Sequence, residues 1–546
     1  MKTYTESNRI RPHILTASVY WAIALLMAFC IIAHRIYGEK GSYFTAGAFG
    51  FFGFFYTGLV LACQKAVYIM VRLRARRSQY LNAETNMHRS LNIFGAAGVI
   101  LGILLAALSY RIAGFLFHGE RGFFQLIIVA VCGVLMGVQG VLRGYLQGIG
   151  YTKPILIADL LVALVSGITG TVATIFLYSY GLKVNDLFHV DEYSAVYGSV
   201  GVMLGLLAGT LTGLIQILIS YHIRKAEIKD VVKSGAPRYL DNKNDVIAGV
   251  RVILLLYVTA AVALIVDEVY FVLHSVRVHP DGDFMSNFGS YFGRGICLVA
   301  LFTVLCCIPF IKSWNRVMAR VERDEYEGAR ERLKKLIRFS GMLVIPVGIF
   351  MLAIPQTLQI TIYGKSNELA NTFTMVSGVL VIVCAVGMFF SWFLNHMGRS
   401  ILILLNVGVG WGVHALGLFV FVTILDRGIY GIQMATLVAV VIYDLMCTVI
   451  TFKMLKLKVS TLKVWTTSLL SSAAAGFVIF LLNMLLTNLI GEVLTFILCV
   501  IVFFVIYMLI MIVTGGIRKH ELGSIPLGGL FKGFAAMVQP SRLDEE

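Results

Sequence analysis

Apolar residues come in long, nearly unbroken runs along this chain. They do not follow the every-second or every-third-and-fourth spacing of a soluble strand or helix. The runs fall at about 14–34, 44–71, 91–112, 123–142, 155–179, 195–222, 246–270, 289–311, 339–362, 372–395, 401–424, 429–452, 465–488 and 493–516. Each reaches the roughly 20 residues a helix needs to cross the hydrocarbon core. The pattern predicts an all-α, polytopic membrane protein with fourteen spans. The first run follows Lys2, Arg9 and Arg11, as a signal peptide would. It is too long for such a segment and is read as a retained span.

Charge supports this count. The mean hydropathy is +0.85 and only 14% of the 546 residues are charged. If the N-terminus is cytoplasmic and the spans alternate, 34 of the 45 Lys and Arg fall in inner segments and 7 in outer loops. Lys65, Arg111, Arg251 and Arg294 lie within spans. A missed or invented span would scramble that bias, which is the one expected of cytoplasmic loops. Both termini are therefore assigned to the cytoplasm. The net charge of +16 sits in short clusters between apolar runs, so nucleic acid is not the expected partner. Arg72, Arg74, Arg76 and Arg77 form one such cluster, suited to anionic membrane lipids.

The loops are short. None is large enough for a soluble catalytic domain, and no G-x-x-x-x-G-K-[ST] phosphate loop is present. The nine cysteines lie inside apolar runs without metal-ligand spacing, so no disulfide framework, metal or cofactor is expected. The longest inner loop, 312–338, is amphipathic and helical in pattern.

Two halves echo each other. Val141–Pro154, VLRGYLQGIGYTKP, has a weaker copy in Trp392–Arg399, WFLNHMGR: Leu394, Asn395 and Gly398 answer Leu146, Gln147 and Gly150. Lys312, Tyr326 and Ala329 answer Lys65, Tyr80 and Ala83. The offsets are all 246–248 residues, a period holding six spans. An even number implies two parallel, pseudo-symmetric lobes. The expected organisation is an N-lobe at 1–225, a cytoplasmic linker at 226–245, a C-lobe at 246–458, two further spans at 459–517 and a cytoplasmic tail at 518–546.

The quotable motifs resemble the multidrug/oligosaccharidyl-lipid/polysaccharide (MOP) flippase superfamily. Within it they are most similar to the branch of stage V sporulation protein B-like and peptidoglycan-precursor (lipid II) flippases. Tyr37–Tyr43, YGEKGSY, resembles that branch's entry to span two. Arg143–Gly148, RGYLQG, resembles its RGYFQG corner, and Lys153-Pro154 the K-P that follows. Asp267 stands where span seven ends on Asp, Pro309–Arg338 resembles the basic inner helix, and Arg518–Leu527 the C-terminal exit. The resemblance implies a non-enzymatic transporter of a bacterial cytoplasmic membrane. It would move a polyprenyl-pyrophosphate-linked glycan from the inner to the outer leaflet by alternating access. Spans one and two lack the family's arginines, and Asp159 and Val162 replace an expected Gln and Glu. These departures turn the expected substrate toward another lipid-linked glycan, such as a capsular, exopolysaccharide or teichoic precursor.

An anionic head group requires cations inside the spans, where an ionisable side chain needs a job or a partner. Arg251, Arg294 and Lys65 are the substrate-binding candidates. Arg251 suits a pyrophosphate through its planar fork. Arg294 serves either the head group or an ion pair with Asp267 or Glu268. Lys65 either lines a cavity or snorkels to the inner surface. Arg143, Asp159, Asp267, Glu268, Asp444 and His414 are gate or ion-coupling candidates, the coupling ion being H+ or Na+. For Asp159 and Asp444 the alternative is pairing with Arg143, Arg251 or Lys65; for His414 it is a satisfied interior histidine. Rival readings are a cation-coupled multidrug antiporter of the same superfamily, a membrane-embedded glycan-processing enzyme and a twelve-helix permease.

Overall fold

The computed structural model describes residues 11–233, 255, 257, 259, 261–280, 282–397, 399–457, 463–524 and 528–539. Every regular element among them is helical. In chain order these are α1 (Pro12–Phe55), α2 (Cys63–Arg76), α3 (Tyr80–Arg111), α4 (Phe123–Ile149), α5 (Lys153–Phe188) and α6 (Tyr193–Ile223). Then come α7 (Lys225–Lys233), α8 (Ala263–Val278), α9 (Phe284–Ser290), α10 (Cys297–Cys307), α11 (Ile311–Val321), α12 (Tyr326–Ala353) and α13 (Pro355–Tyr363). The chain closes with α14 (Glu368–His396), α15 (Ser400–Leu418), α16 (Gly428–Met454), α17 (Lys463–Ile490), α18 (Glu492–Val513) and α19 (Lys532–Val538).

Twelve helical runs among the described residues are long and apolar enough to cross a membrane. One, His13–Arg76, is 64 residues long and holds both the first and second predicted spans. It turns at Gly38, whose φ of 73° is left-handed and non-helical. In a straight helix, residues eight apart would sit about 12 Å apart along the axis. Yet His34 Nδ1 and Ser42 Oγ lie 2.6 Å apart, and Tyr37 Oη and Thr45 Oγ1 2.9 Å apart. The chain therefore folds back on itself at Gly38. The seventh predicted span, 246–270, lies largely outside the described residues, as does much of the predicted linker. The amphipathic inner loop is helical as its pattern predicts. It extends α11, turns at Asp324 with φ 61°, and continues directly into α12.

The chain divides into two units. The first comprises Met1–Gly293 and Leu394–Tyr443, the second Arg294–Phe393 and Asp444–Glu546. The core of the first packs Phe29, Phe52, Phe55, Met136 and Leu206 together. A second cluster there joins Val67, Val71, Met87, Tyr145 and Leu146. The core of the second unit packs α12, α17 and α18 through Met342, Ile479, Cys499, Phe503 and Met511. There the Tyr507 hydroxyl lies 3.0 Å from Ser468 Oγ and donates to the Met342 carbonyl at 3.0 Å. Large apolar side chains such as Phe176, Leu485 and Leu489 remain exposed. Lipid tails solvate such surfaces in a spanning bundle.

Candidate functional site

The RGYLQG stretch forms the end of α4. Gly144 lies directly against the second span: a Cβ there would stand 2.6 Å from the Gln64 carbonyl oxygen and 2.7 Å from Val67 Cβ. That approach brings Arg143 beside Gln64. Gly150 then ends the helix in the left-handed region, at φ 106°, and α5 begins at Lys153-Pro154. The reversal places Asp159 opposite Arg143. The two form an ion pair with no exposed side-chain surface on either side.

The pair belongs to a wider polar network in the first unit. Arg143 Nε donates to Gln64 Oε1 at 2.8 Å. Gln64 Nε2 donates to Gln147 Oε1 at 2.8 Å. Ser18, on α1, donates to Asp159 Oδ2 at 2.9 Å. Both oxygens of Asp159 are thus engaged, while Arg143 Nη1 is buried without a partner. One residue beyond Gln64, Lys65 turns the other way and donates to Asn395 Oδ1 at 2.6 Å. Lys65 is half-buried. The repeat partner of Gln147, Asn395, thus receives the one cation of the second span's interior.

The adjacent acids of α8 face different neighbours. Asp267 Oδ1 lies 2.7 Å from His414 Nε2 on α15, with both side chains buried. Glu268 is 1% exposed and its Oε2 has no hydrogen-bond partner. It sits over Gly47, where a Cβ would lie 3.2 Å away.

In the second unit Arg294 is 1% exposed. It donates to Gln359 Oε1 at 3.3 Å and to the Lys365 carbonyl at 2.9 Å. Its guanidinium lies 5.2 Å from the centre of the Tyr363 ring. Arg294 thus ties the start of the α10 segment to the end of α13. Asp444, 6% exposed, sits against Gly387 of α14. Arg251 lies outside the described residues.

The second unit also contains a groove of about 1020 Å³ between α10, α12 and α18. Its walls include Phe339, Met342, Val347, Phe350, Val500 and Phe503. It follows α12 from Arg332 to Met351, 19 residues and about 28 Å. That is close to the thickness of a bilayer's hydrocarbon core, about 30 Å. Arg316, Arg332 and Lys335 gather at the end that the charge bias assigns to the cytoplasm. None has an acidic partner among the described residues. The sequence showed these cations as part of an amphipathic loop. The groove itself has no one-dimensional signature, because its walls come from segments about 150 residues apart. No group of three or more His, Cys, Asp or Glu able to hold a metal ion occurs among the described residues.

No family model and no curated protein matches the chain. Solved structures do. A multidrug resistance MATE family transporter of the MOP superfamily, inward-facing, superposes with a TM-score of 0.59 at 12% identity, over 81% of this chain and 99% of its own. The lipid II flippase MurJ, in an inward closed conformation, superposes with a TM-score of 0.59 at 13% identity, over 91% of this chain and 97% of its own. A MATE protein in a bent conformation follows with a TM-score of 0.55 at 12% identity, over 84% of this chain and all of its own. The chain shares the fold of these solved MATE and MurJ structures.

Proposed function

We propose that this protein is a transporter that flips a polyprenyl-pyrophosphate-linked glycan from the inner to the outer leaflet. One observation carries the reading: the groove of the second unit, apolar for about 22 Å along α12 from Leu336 to Met351 and ended by Arg316, Arg332 and Lys335. Its shape and charge complement a molecule with a long hydrocarbon tail and an anionic head. A glycan head cannot cross hydrocarbon unaided, whereas the tail never needs to leave it. The likeness to the MurJ fold over 91% of the chain supports the same reading.

In this proposal 1–225 and 246–458 are the two rocking lobes, 459–517 supplies the groove's far wall, and no covalent chemistry is involved. Lys65, half-buried and donating to Asn395, is the substrate cation. Arg294, held by Gln359, Lys365 and Tyr363, is a positioning residue. The inner-segment excess of Lys and Arg supports cytoplasmic termini.

A cation-coupled multidrug antiporter is the second reading, favoured by the equal likeness to MATE folds. Depletion of the protein separates the two. The flippase reading expects a lipid-linked glycan to accumulate on the inner leaflet. Drug hypersensitivity with unchanged lipid-linked glycans would sink it.

A further inference from the structure

The four buried acids described above divide by partner. Asp159 is bonded to Arg143 and Ser18, and Asp267 to His414. Glu268 and Asp444 each keep one carboxyl oxygen buried and unpartnered. Asp444 lies inside α16, ten residues from its end, or about 15 Å.

Its setting is specific. A Cβ on Gly387 would stand 1.6 Å from Asp444 Oδ1 and 2.8 Å from Oδ2. The carboxyl therefore occupies the notch left by the absent side chain of α14. The residue is 6% exposed. The titratable group placed against it, among the described residues, is the thiol of Cys384, one turn earlier on α14. Behind that turn, Cys307 of α10 contacts the Ala385 carbonyl. No cation faces Asp444 among the described residues. A bare carboxylate so placed is strongly disfavoured, and more so inside a membrane. A protonated carboxyl avoids that cost. Asp159 and Asp267 have fixed side-chain partners, whereas a proton is what neutralises Asp444. A proton can leave when water arrives.

We propose that Asp444 is a proton-binding site seated in the Gly387 notch, and that separation of α16 from α14 releases its proton once in each transport cycle. The coupling half of this proposal rests on the transporter reading; the proton site does not.

Infrared difference spectroscopy on the full-length protein in bilayers tests the site. Spectra are taken across mildly acidic to alkaline pH on the wild type, on wild type grown with isotope-labelled aspartate, and on Asp444→Asn. The expected result is a protonated-carboxyl band that fades at alkaline pH, shifts with the aspartate label and is lost in Asp444→Asn. A wild type with no label-sensitive band at neutral pH overturns the proposal, whether or not the variant folds. A label-sensitive band that survives in folded Asp444→Asn overturns it as well.

Coupling is read in vesicles with a fluorescent, short-chain polyprenyl-pyrophosphate disaccharide. Translocation by the wild type should accelerate under a pH gradient and lose that acceleration with a protonophore. Asp444→Asn should ignore the gradient. Gradient-independent translocation by the wild type overturns the coupling. A wild type that does not move this probe counts against the lipid-linked substrate alone, and the infrared result still decides the proton site.

Discussion

Arg143 and Asp159 form an ion pair in which neither side chain keeps any exposed surface. They are 16 residues apart, on the two arms of the α4–α5 corner, and Ser18 of α1 completes the carboxylate's bonding. Breaking a buried pair by removing one partner leaves an uncompensated charge and costs about 3–5 kcal/mol. Arg143→Ala or Asp159→Ala should therefore lower the midpoint of thermal unfolding in detergent sharply. Arg143→Met combined with Asp159→Leu should recover most of the loss, because no charge is then stranded. A double variant as unstable as the worse single one would show that the pair does more than neutralise itself.

Lys65 and Asn395 are 330 residues apart and hydrogen-bonded at 2.6 Å. A direct contact of this kind couples by about 0.5–3 kcal/mol in a double-mutant cycle. Lys65→Met and Asn395→Ala should be strongly non-additive in thermal stability. Strict additivity would remove the contact from the folded ensemble.

The groove makes a charge prediction. Replacing Arg316, Arg332 and Lys335 with Glu should weaken binding of polyprenyl pyrophosphate and abolish the fall of affinity with added salt, since counterion screening acts on exposed charges. Binding of the same lipid without its pyrophosphate should change little. Filling the apolar wall with Val500→Trp should do the reverse, impairing both lipids alike. Unchanged affinity in all four measurements would exclude the groove as the lipid site.

Arg294 is a test of chemistry, not charge alone. It donates to two acceptors and lies over the Tyr363 ring. Lysine cannot reproduce that fork and stacking. Arg294→Lys should cost about 1–3 kcal/mol in urea unfolding, close to the cost of Arg294→Met. Full rescue by Lys would mean that only the charge matters.

Gly144 is a test of close approach. A methyl group there meets the Gln64 carbonyl oxygen at 2.6 Å, and overpacking of this kind costs about 1–3 kcal/mol. Gly144→Ala should destabilise the first unit, whereas Gly53→Ala, inside α1 with nothing within 4 Å of the added atom, should be neutral or stabilise by about 0.4–1 kcal/mol.

Much of this architecture was legible along the chain. Twenty-residue apolar runs are a solubility constraint imposed by the bilayer, so they report the spanning helices without any tertiary information. The charge bias is the basis on which the sequence predicts their alternation, because cytoplasmic loops carry an excess of Lys and Arg. The corner at VLRGYLQGIGYTKP was also legible, because Gly150 and Pro154 act on their own backbone. Its Arg143 was ambiguous between a gate and a structural cation, and the chain alone offered Asp159 only as one partner among several.

What the linear order could not contain is who meets whom across helices. Asp159, Asp267, Glu268 and Asp444 are the same kind of signal in one dimension, an acid in an apolar run. Packing separates them: Arg143 reaches one, His414 another, and the Gly387 notch receives Asp444 with no cation against it among the described residues. The groove is likewise a product of α10, α12 and α18 meeting, with walls that share no local pattern. Hydrophobic length and charge sidedness act residue by residue and so are written in the sequence. Ion pairing, cavity shape and the cost of a buried charge depend on distances between remote segments, and those exist only once the helices pack.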